Sequence, residues 1–111
     1  MFAIDTNLMV YAHNTASPYH KTAKQFAEQV MNERDDDGQL LVCLPAQVLT
    51  EFIHVITWQH LESPIPLEKA LQIVQDYLDT GIKIIFQQDT QILTFITLFH
   101  MITTRKKGLR H

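Results

Sequence analysis

The chain has a single cysteine, Cys43, and therefore no internal disulfide; within the run Leu40-Leu41-Val42-Cys43-Leu44 its thiol is expected to serve as a small buried hydrophobe. Glycine and proline are scarce, three and four in 111 residues, which excludes collagen-like and low-complexity architectures. No stretch approaches the roughly 18 uncharged apolar residues of a membrane helix. The opening Met1-Phe2-Ala3-Ile4-Asp5 also lacks the basic region and apolar run of a secretory signal, so the expected setting is the cytoplasm, away from membranes. Gly-rich phosphate loops, zinc-type cysteine spacings and nucleophile elbows are all missing. What remains is the composition of an ordinary globular protein, 46% hydrophobic, and a length that fits one domain, residues 1–111, with a core of its own.

Charge is short on the positive side. The net value is −3, which argues against broad electrostatic attraction to nucleic acid. Residues 1–104 carry five Lys or Arg against twelve Asp or Glu, a net of −7, whereas Arg105-Lys106-Lys107-Gly108-Leu109-Arg110-His111 carries +4. The plain reading of that tail is a solvated terminus, and the alternative is an arm that contacts phosphates.

Hydrophobic periodicity divides the chain into alternating strands and helices. Phe2-Ala3-Ile4, apolar on both faces and closed by Asp5, reads as an inner strand of a parallel sheet. Asp5-Thr6-Asn7 supplies caps for a short helix through Leu8, Met9, Val10 and Tyr11, which Asn14 to Pro18 interrupts. From Ser17-Pro18, a second helix carries Ala23, Phe26, Ala27, Val30 and Met31 at spacings of three and four, up to the loop Asp35-Asp36-Asp37-Gly38. Leu40 to Leu44 is the second strand. Pro45 then opens a helix to about Leu61, with Val48, Leu49, Phe52, Val55 and Ile56 as its stripe. After the break at Ser63-Pro64-Ile65-Pro66 comes a helix with Leu67, Ala70, Leu71, Val74 and Leu78 on one side, ended by Gly81. Ile82 to Phe86 is the third strand. Asp89-Thr90 starts a last helix to about Thr104, with Ile92, Phe95, Ile96, Phe99 and Ile102 inward and His100 off that stripe. The fold class is α/β, a parallel sheet flanked by helices with right-handed crossovers, and ligands are expected along the edge where the strands end.

Two carboxylates belong near that edge. Asp5 follows the first strand, where it also suits a helix cap. Glu51 lies in the second turn of the helix opened by Pro45, and its helical neighbours are Val48, Phe52 and Val55. A carboxylate in an apolar stripe is costly to bury unless a cation or donor meets it. Adjacent strands lie about 4.8 Å apart, so Asp5 and Glu51 can approach one another, and a divalent cation would relieve their repulsion. The competing reading leaves Glu51 partly exposed on the helix surface. Glu51 and His54, three apart on a helix, could share a metal, although a satisfied or exposed His54 is the usual outcome. His13 and His20 flank a loop and read as surface histidines that could lie near the edge.

These residues carry a family resemblance. Ile4-Asp5-Thr6-Asn7-Leu8-Met9-Val10-Tyr11-Ala12 resembles the opening of PIN-domain ribonucleases, including VapC-type toxins of toxin-antitoxin pairs, and Pro45-Ala46-Gln47-Val48-Leu49-Thr50-Glu51-Phe52 is similar to that family's second motif. The order of helices and strands from Met1 to Thr104 fits as well. The resemblance implies Mg²⁺ or Mn²⁺ held by Asp5 and Glu51, Asn7 as an active-site polar group with Thr6 behind it, an RNA substrate and an antitoxin-like partner. Members usually continue beyond a segment like Lys107-Gly108-Leu109-Arg110-His111 with a helix bearing a third acid, then further strands and often a fourth acid. Against that pattern the site is expected to be incomplete. Asp89, the only carboxylate after the third strand, reads as a helix cap that follows a strand about 10 Å from the first.

Two functions follow as expectations. In the first the chain is a metal-dependent endoribonuclease, with activity that the missing acids impair. In the second it is a catalytically incomplete interaction module that binds an antitoxin-like protein or itself, forming a homodimer or larger assembly that hides the apolar first strand.

Overall fold

The computed structural model describes residues 2–87, 96–98, 100, 101 and 104. Three short strands, β1 (Phe2–Ala3), β2 (Val42–Pro45) and β3 (Lys83–Ile85), form a parallel sheet in the order β1-β2-β3. Four helices connect them: α1 (Thr6–His13), α2 (His20–Val30), α3 (Ala46–Ile56) and α4 (Leu67–Asp79). The architecture is therefore α/β with parallel pairing, as the alternation of strand and helix patterns requires.

The register places Phe2 beside Val42 and Ala3 beside Cys43, then Cys43 beside Lys83 and Pro45 beside Ile85. β2 is the central strand, and Val42, Cys43 and Leu44 are buried as an inner strand demands. Cys43 is a free, buried thiol, as its apolar run indicates. β1, expected inside the sheet, is instead an edge among the described strands. Phe2 is 73% exposed, and only Ile4, just past the strand, enters the core. The apolar-on-both-faces rule failed at β1 because two or three residues are too short a run to carry it.

The core gathers around α3. Phe52, Met9, Leu44, Leu49, Ile56 and Val74 are the largest fully buried side chains, contributed by α1, β2, α3 and α4. Each contributes about 1.5–3 kcal/mol by leaving water, which makes the spacing of three and four along α3 the main determinant of its placement. On α4, Ala70, Leu71 and Val74 are inside, but Tyr77 is buried while Leu67 stays 45% exposed. Phe26, expected inward on α2, is 52% exposed because Ala23, Ala27 and Val30 form the buried face.

Helix ends differ from the periodicity by a turn in places. α2 begins at His20, since Asn14 to Tyr19 is occupied by consecutive turns, Ser17 donating to the Asn14 carbonyl and His20 to the Ser17 carbonyl. α3 stops at Ile56, where the Thr57 hydroxyl donates to the Ile53 carbonyl and Ile65 N–H turns back to the Ile56 carbonyl. The acidic run is more ordered than a plain solvated loop: Asp35 Oδ1 accepts from the backbone of Asp37 and Gln39, and Gly38 takes the positive φ of 78° that closes the turn. Beyond β3, Leu98 is buried and Ile96, expected inward, is 57% exposed. Asp89 with its cap, Ile92, Phe95, Phe99, Ile102 and the basic segment 105–111 lie outside the described residues. Among the described residues, no helix is long and apolar enough to cross a membrane.

Candidate functional site

Asp5 follows β1 and is the N-cap of α1, with extended backbone angles and Oδ1 accepting from Leu8 N–H at 2.7 Å. This satisfies one of the donors that a helix start leaves open. Among the described residues no hydrogen bond engages Oδ2, and the side chain is exposed. The cap therefore occupies one oxygen of the carboxylate and leaves the other without a partner among the described residues.

Glu51 is carried by α3. Pro45 ends β2 and caps α3 in one residue, its φ of −61° suiting the helix entrance, so α3 leaves the sheet without a loop. Phe52, next along the helix, points fully into the core, which turns Glu51 outward. Of the two readings of Glu51, a carboxylate set into the apolar stripe and one on the helix surface, the structure shows the second. Glu51 is exposed, and Val55 beside it is half-buried. Its oxygens are nonetheless held: Thr6 Oγ1 donates to Oε2 at 2.6 Å, and Gln47 Nε2 donates to Oε1 at 2.8 Å. The Thr6 bond spans 45 positions of sequence and ties the start of α1 to α3.

Asp5, Thr6, Asn7, Thr50, Glu51 and His54 border one open depression of about 680 Å³ at the edge where β1 and β2 end. Three residues singled out from sequence, Asp5, Asn7 and Glu51, are thus brought together with Thr6. Asn7 is exposed, and its amide has no hydrogen-bond partner among the described residues. His54 is exposed on the same border. No Lys or Arg lines the depression, so neither carboxylate is neutralised from within it. Two oxygen-bearing acids with free lone pairs suit a hard cation, and Mg²⁺ retains waters around one or two carboxylates. Among the described residues no group of three or more His, Cys, Asp or Glu gathers as a metal cage.

His13 and His20 lie away from this depression. His20 Nδ1 donates to the Tyr11 carbonyl at 3.0 Å, which fixes its tautomer and ties α2 to α1. His13 is half-buried between Phe52 of α3 and Tyr77 of α4, its ring edge-on to both, with a 3.0 Å hydrogen bond joining Nε2 and Tyr77 Oη. Burial holds the imidazole below its ordinary value of 6.5, helped by His20 and Lys24, opposed by Asp76, with Lys69 a smaller lowering influence. Burial pushes the Tyr77 phenol up to about 12. His13 is a core histidine rather than a surface one, a placement that the end of a short helix pattern does not reveal.

Sequence reasoning also missed a second groove, of about 380 Å³, which shares Thr6, Asn7 and Val55 with the first and continues along α1 to Tyr11, Asn14 and Tyr19. The spacing Asn7, Tyr11, Asn14 was the available signal, since positions three and four apart share a helix face. Compared with known protein families the chain matches none, and no curated protein matches it.

Proposed function

We propose that the chain is a divalent-metal-dependent endoribonuclease of PIN type, with Asp5 and Glu51 as the metal ligands and Asn7 as a polar group facing the substrate. The observation that carries this reading is the meeting of Asp5 and Glu51 in one cation-free depression at the carboxyl edge of a parallel sheet. It is supported by the resemblance of the segments around Asp5 and Glu51 to the two PIN motifs.

When bound, Mg²⁺ or Mn²⁺ supplies an activated water and offsets charge building on the phosphate. The chain's own residues set the stage for it. Thr6 and Gln47 hold the Glu51 carboxylate in one orientation, and the Leu8 N–H fixes Asp5. Asn7, exposed on the border, offers a neutral donor and acceptor to a ribose or phosphate oxygen.

The test compares cleavage of single-stranded RNA by the wild-type chain with Mg²⁺, by the same protein in EDTA, and by Asp5→Ala. Cleavage lost in both of the latter supports the reading, and cleavage indifferent to either change refutes it.

One observation favours a second role alongside. β1 is an edge among the described strands, with Phe2 73% and Leu41 36% exposed beside it, a combination that invites pairing with another chain. A second copy, or an antitoxin-like protein, would cover it. Light scattering over a range of concentrations checks the first: a homodimer dispersed by Phe2→Asp supports self-association, and a monodisperse monomer counts against it.

A further inference from the structure

The groove that runs from the carboxylate depression along α1 contains an unusual side chain. Asn14 is the sole buried polar residue of the described chain, 6% exposed, and it lines this groove. Its Oδ1 accepts from Ala16 N–H at 3.2 Å, which settles the amide orientation, because a backbone donor must face oxygen. Among the described residues no acceptor meets Nδ2. A buried amide donor without a partner is expensive to keep, and Asn14 lines a cavity able to admit the missing acceptor.

The other walls say what kind of group brings that acceptor. Tyr19 is 60% exposed and lies against Tyr11 with ring centroids 5.2 Å apart, presenting an aromatic surface at the groove. Its position is held from both sides: Tyr19 N–H donates to Ser17 Oγ, and His20 Nδ1 donates to the Tyr11 carbonyl. Among the described residues Glu62 is the only charged one on the border, with no Lys or Arg. An anion such as a phosphate has nothing to neutralise it there. A neutral, flat ring with hydrogen-bond acceptors on its edge has a stacking surface and a donor. The volume of about 380 Å³ falls within the usual range of small-ligand sites.

From these features we infer that the groove seats an unpaired nucleobase of single-stranded RNA, stacked on Tyr19 with an edge acceptor on Asn14 Nδ2. The inference rests on the reading of Asp5 and Glu51 as the centre of an RNA-cleaving site, and it names Tyr19 and Asn14 as residues that position the substrate in it. Asn7, in the first turn of α1, and Asn14, its C-cap, are seven residues apart, about 10 Å along the helix, so a base in the groove leaves its own strand to cross the depression. Recognition of an unstacked base by an aromatic ring and an amide also suits a groove that carries no Lys or Arg among the described residues.

The experiment measures binding separately from cleavage. A fluorescein-labelled RNA hexanucleotide is titrated in EDTA, by anisotropy, with wild type, Tyr19→Ala, Tyr19→Phe and Asp5→Ala. Tyr19 is exposed, and a melting curve of each variant confirms that it is folded. Loss of the ring is expected to weaken binding about tenfold, the effect of one stacked base. Tyr19→Phe should bind within about twofold of wild type, and Asp5→Ala should bind normally while losing Mg²⁺-dependent cleavage. A ribose-phosphate hexamer without bases should bind weakly to wild type and be indifferent to Tyr19→Ala. Equal binding of the hexanucleotide by wild type and Tyr19→Ala overturns the base subsite, as does wild-type affinity for the abasic hexamer equal to that for RNA. If instead Tyr19→Ala weakens binding but Asp5→Ala still cleaves, the subsite stands and the metal reading falls.

Discussion

Replacing Asp5 separates the helix cap that the structure shows from the metal ligand that we propose. Oδ1 caps α1 through Leu8 N–H at 2.7 Å, Oδ2 has no hydrogen-bond partner among the described residues, and the side chain lines the depression. Asp5→Ala removes both, and loss of an N-cap acceptor costs about 1 kcal/mol. For a domain of this size that lowers Tm by roughly 4 °C. Asp5→Asn keeps a capping oxygen but no charge, so its Tm in EDTA should stay close to wild type, because Asn caps about as well as Asp. Mg²⁺ then supplies the second half of the comparison. A cation that binds only the folded state stabilises it by about 1.4 kcal/mol at a tenfold excess over Kd, and the wild-type Tm should rise accordingly. Neither variant should gain that increment. Circular dichroism melts with Mg²⁺ and with EDTA read both effects on one sample. An Asp5→Asn protein that gains as much from Mg²⁺ as wild type refutes the ligand assignment, and an Asp5→Ala protein that melts with wild type in EDTA refutes the cap.

Other outcomes follow from particular contacts. His13 has a folded-state pKa below its unfolded value of 6.5, so protonation favours the unfolded chain; stability should be full above about pH 6.5 and decline as pH falls below it, and urea unfolding across that range should show a shallower decline in His13→Phe. Phe52→Ala, at the most buried aromatic position, should lose about 3–5 kcal/mol in urea unfolding, a large share of the stability of a small domain. Thr6→Val removes the donor to Glu51 at an exposed position and should change stability by no more than about 0.5 kcal/mol while reducing Mg²⁺-dependent cleavage, so that a wild-type rate would detach Thr6 from the site. Cys43, buried in the central strand, should react with a thiol reagent only slowly until denaturant is added, and immediate labelling of the native protein would contradict its placement.

Much of the frame was legible because long periodic segments dominate it. The stripe Val48, Leu49, Phe52 and Ile56 locates α3 without help, and three apolar runs separated by helices suffice for a parallel sheet. Legibility fell where a segment is short or where polar side chains settle local geometry. β1 is only Phe2–Ala3, so its pattern could not distinguish an edge from a centre. Asp35 organises its turn through backbone bonds that composition does not announce. At the site, Asp5 and Glu51 could be paired from the order of elements, but the exposure of Glu51 could not. That exposure depends on Phe52 taking the inward position and on donors from Thr6 and Gln47, a long-range and a local contact respectively. Asn14 looked like a helix breaker, and only its burial beside an open groove marks it as more.

The direct junction at Pro45 has a consequence for how this chain tolerates change in length. Each residue added to a helix entrance turns the helix by about 100° and advances it by 1.5 Å. Since Leu44 is fixed by pairing and Ala46 is already helical, nothing between them can absorb an insertion. One extra residue there would swing Glu51 a quarter turn out of reach of Thr6 while dragging Phe52 from the interior, coupling loss of the site to loss of the fold. The stretch from Asn32 to Gln39 is exposed throughout, and its Asp35-centred turn is held by local bonds that a longer loop can rebuild. Indel tolerance along this chain should therefore be sharply uneven, permissive in the connection that enters β2 and near zero in the one that leaves it.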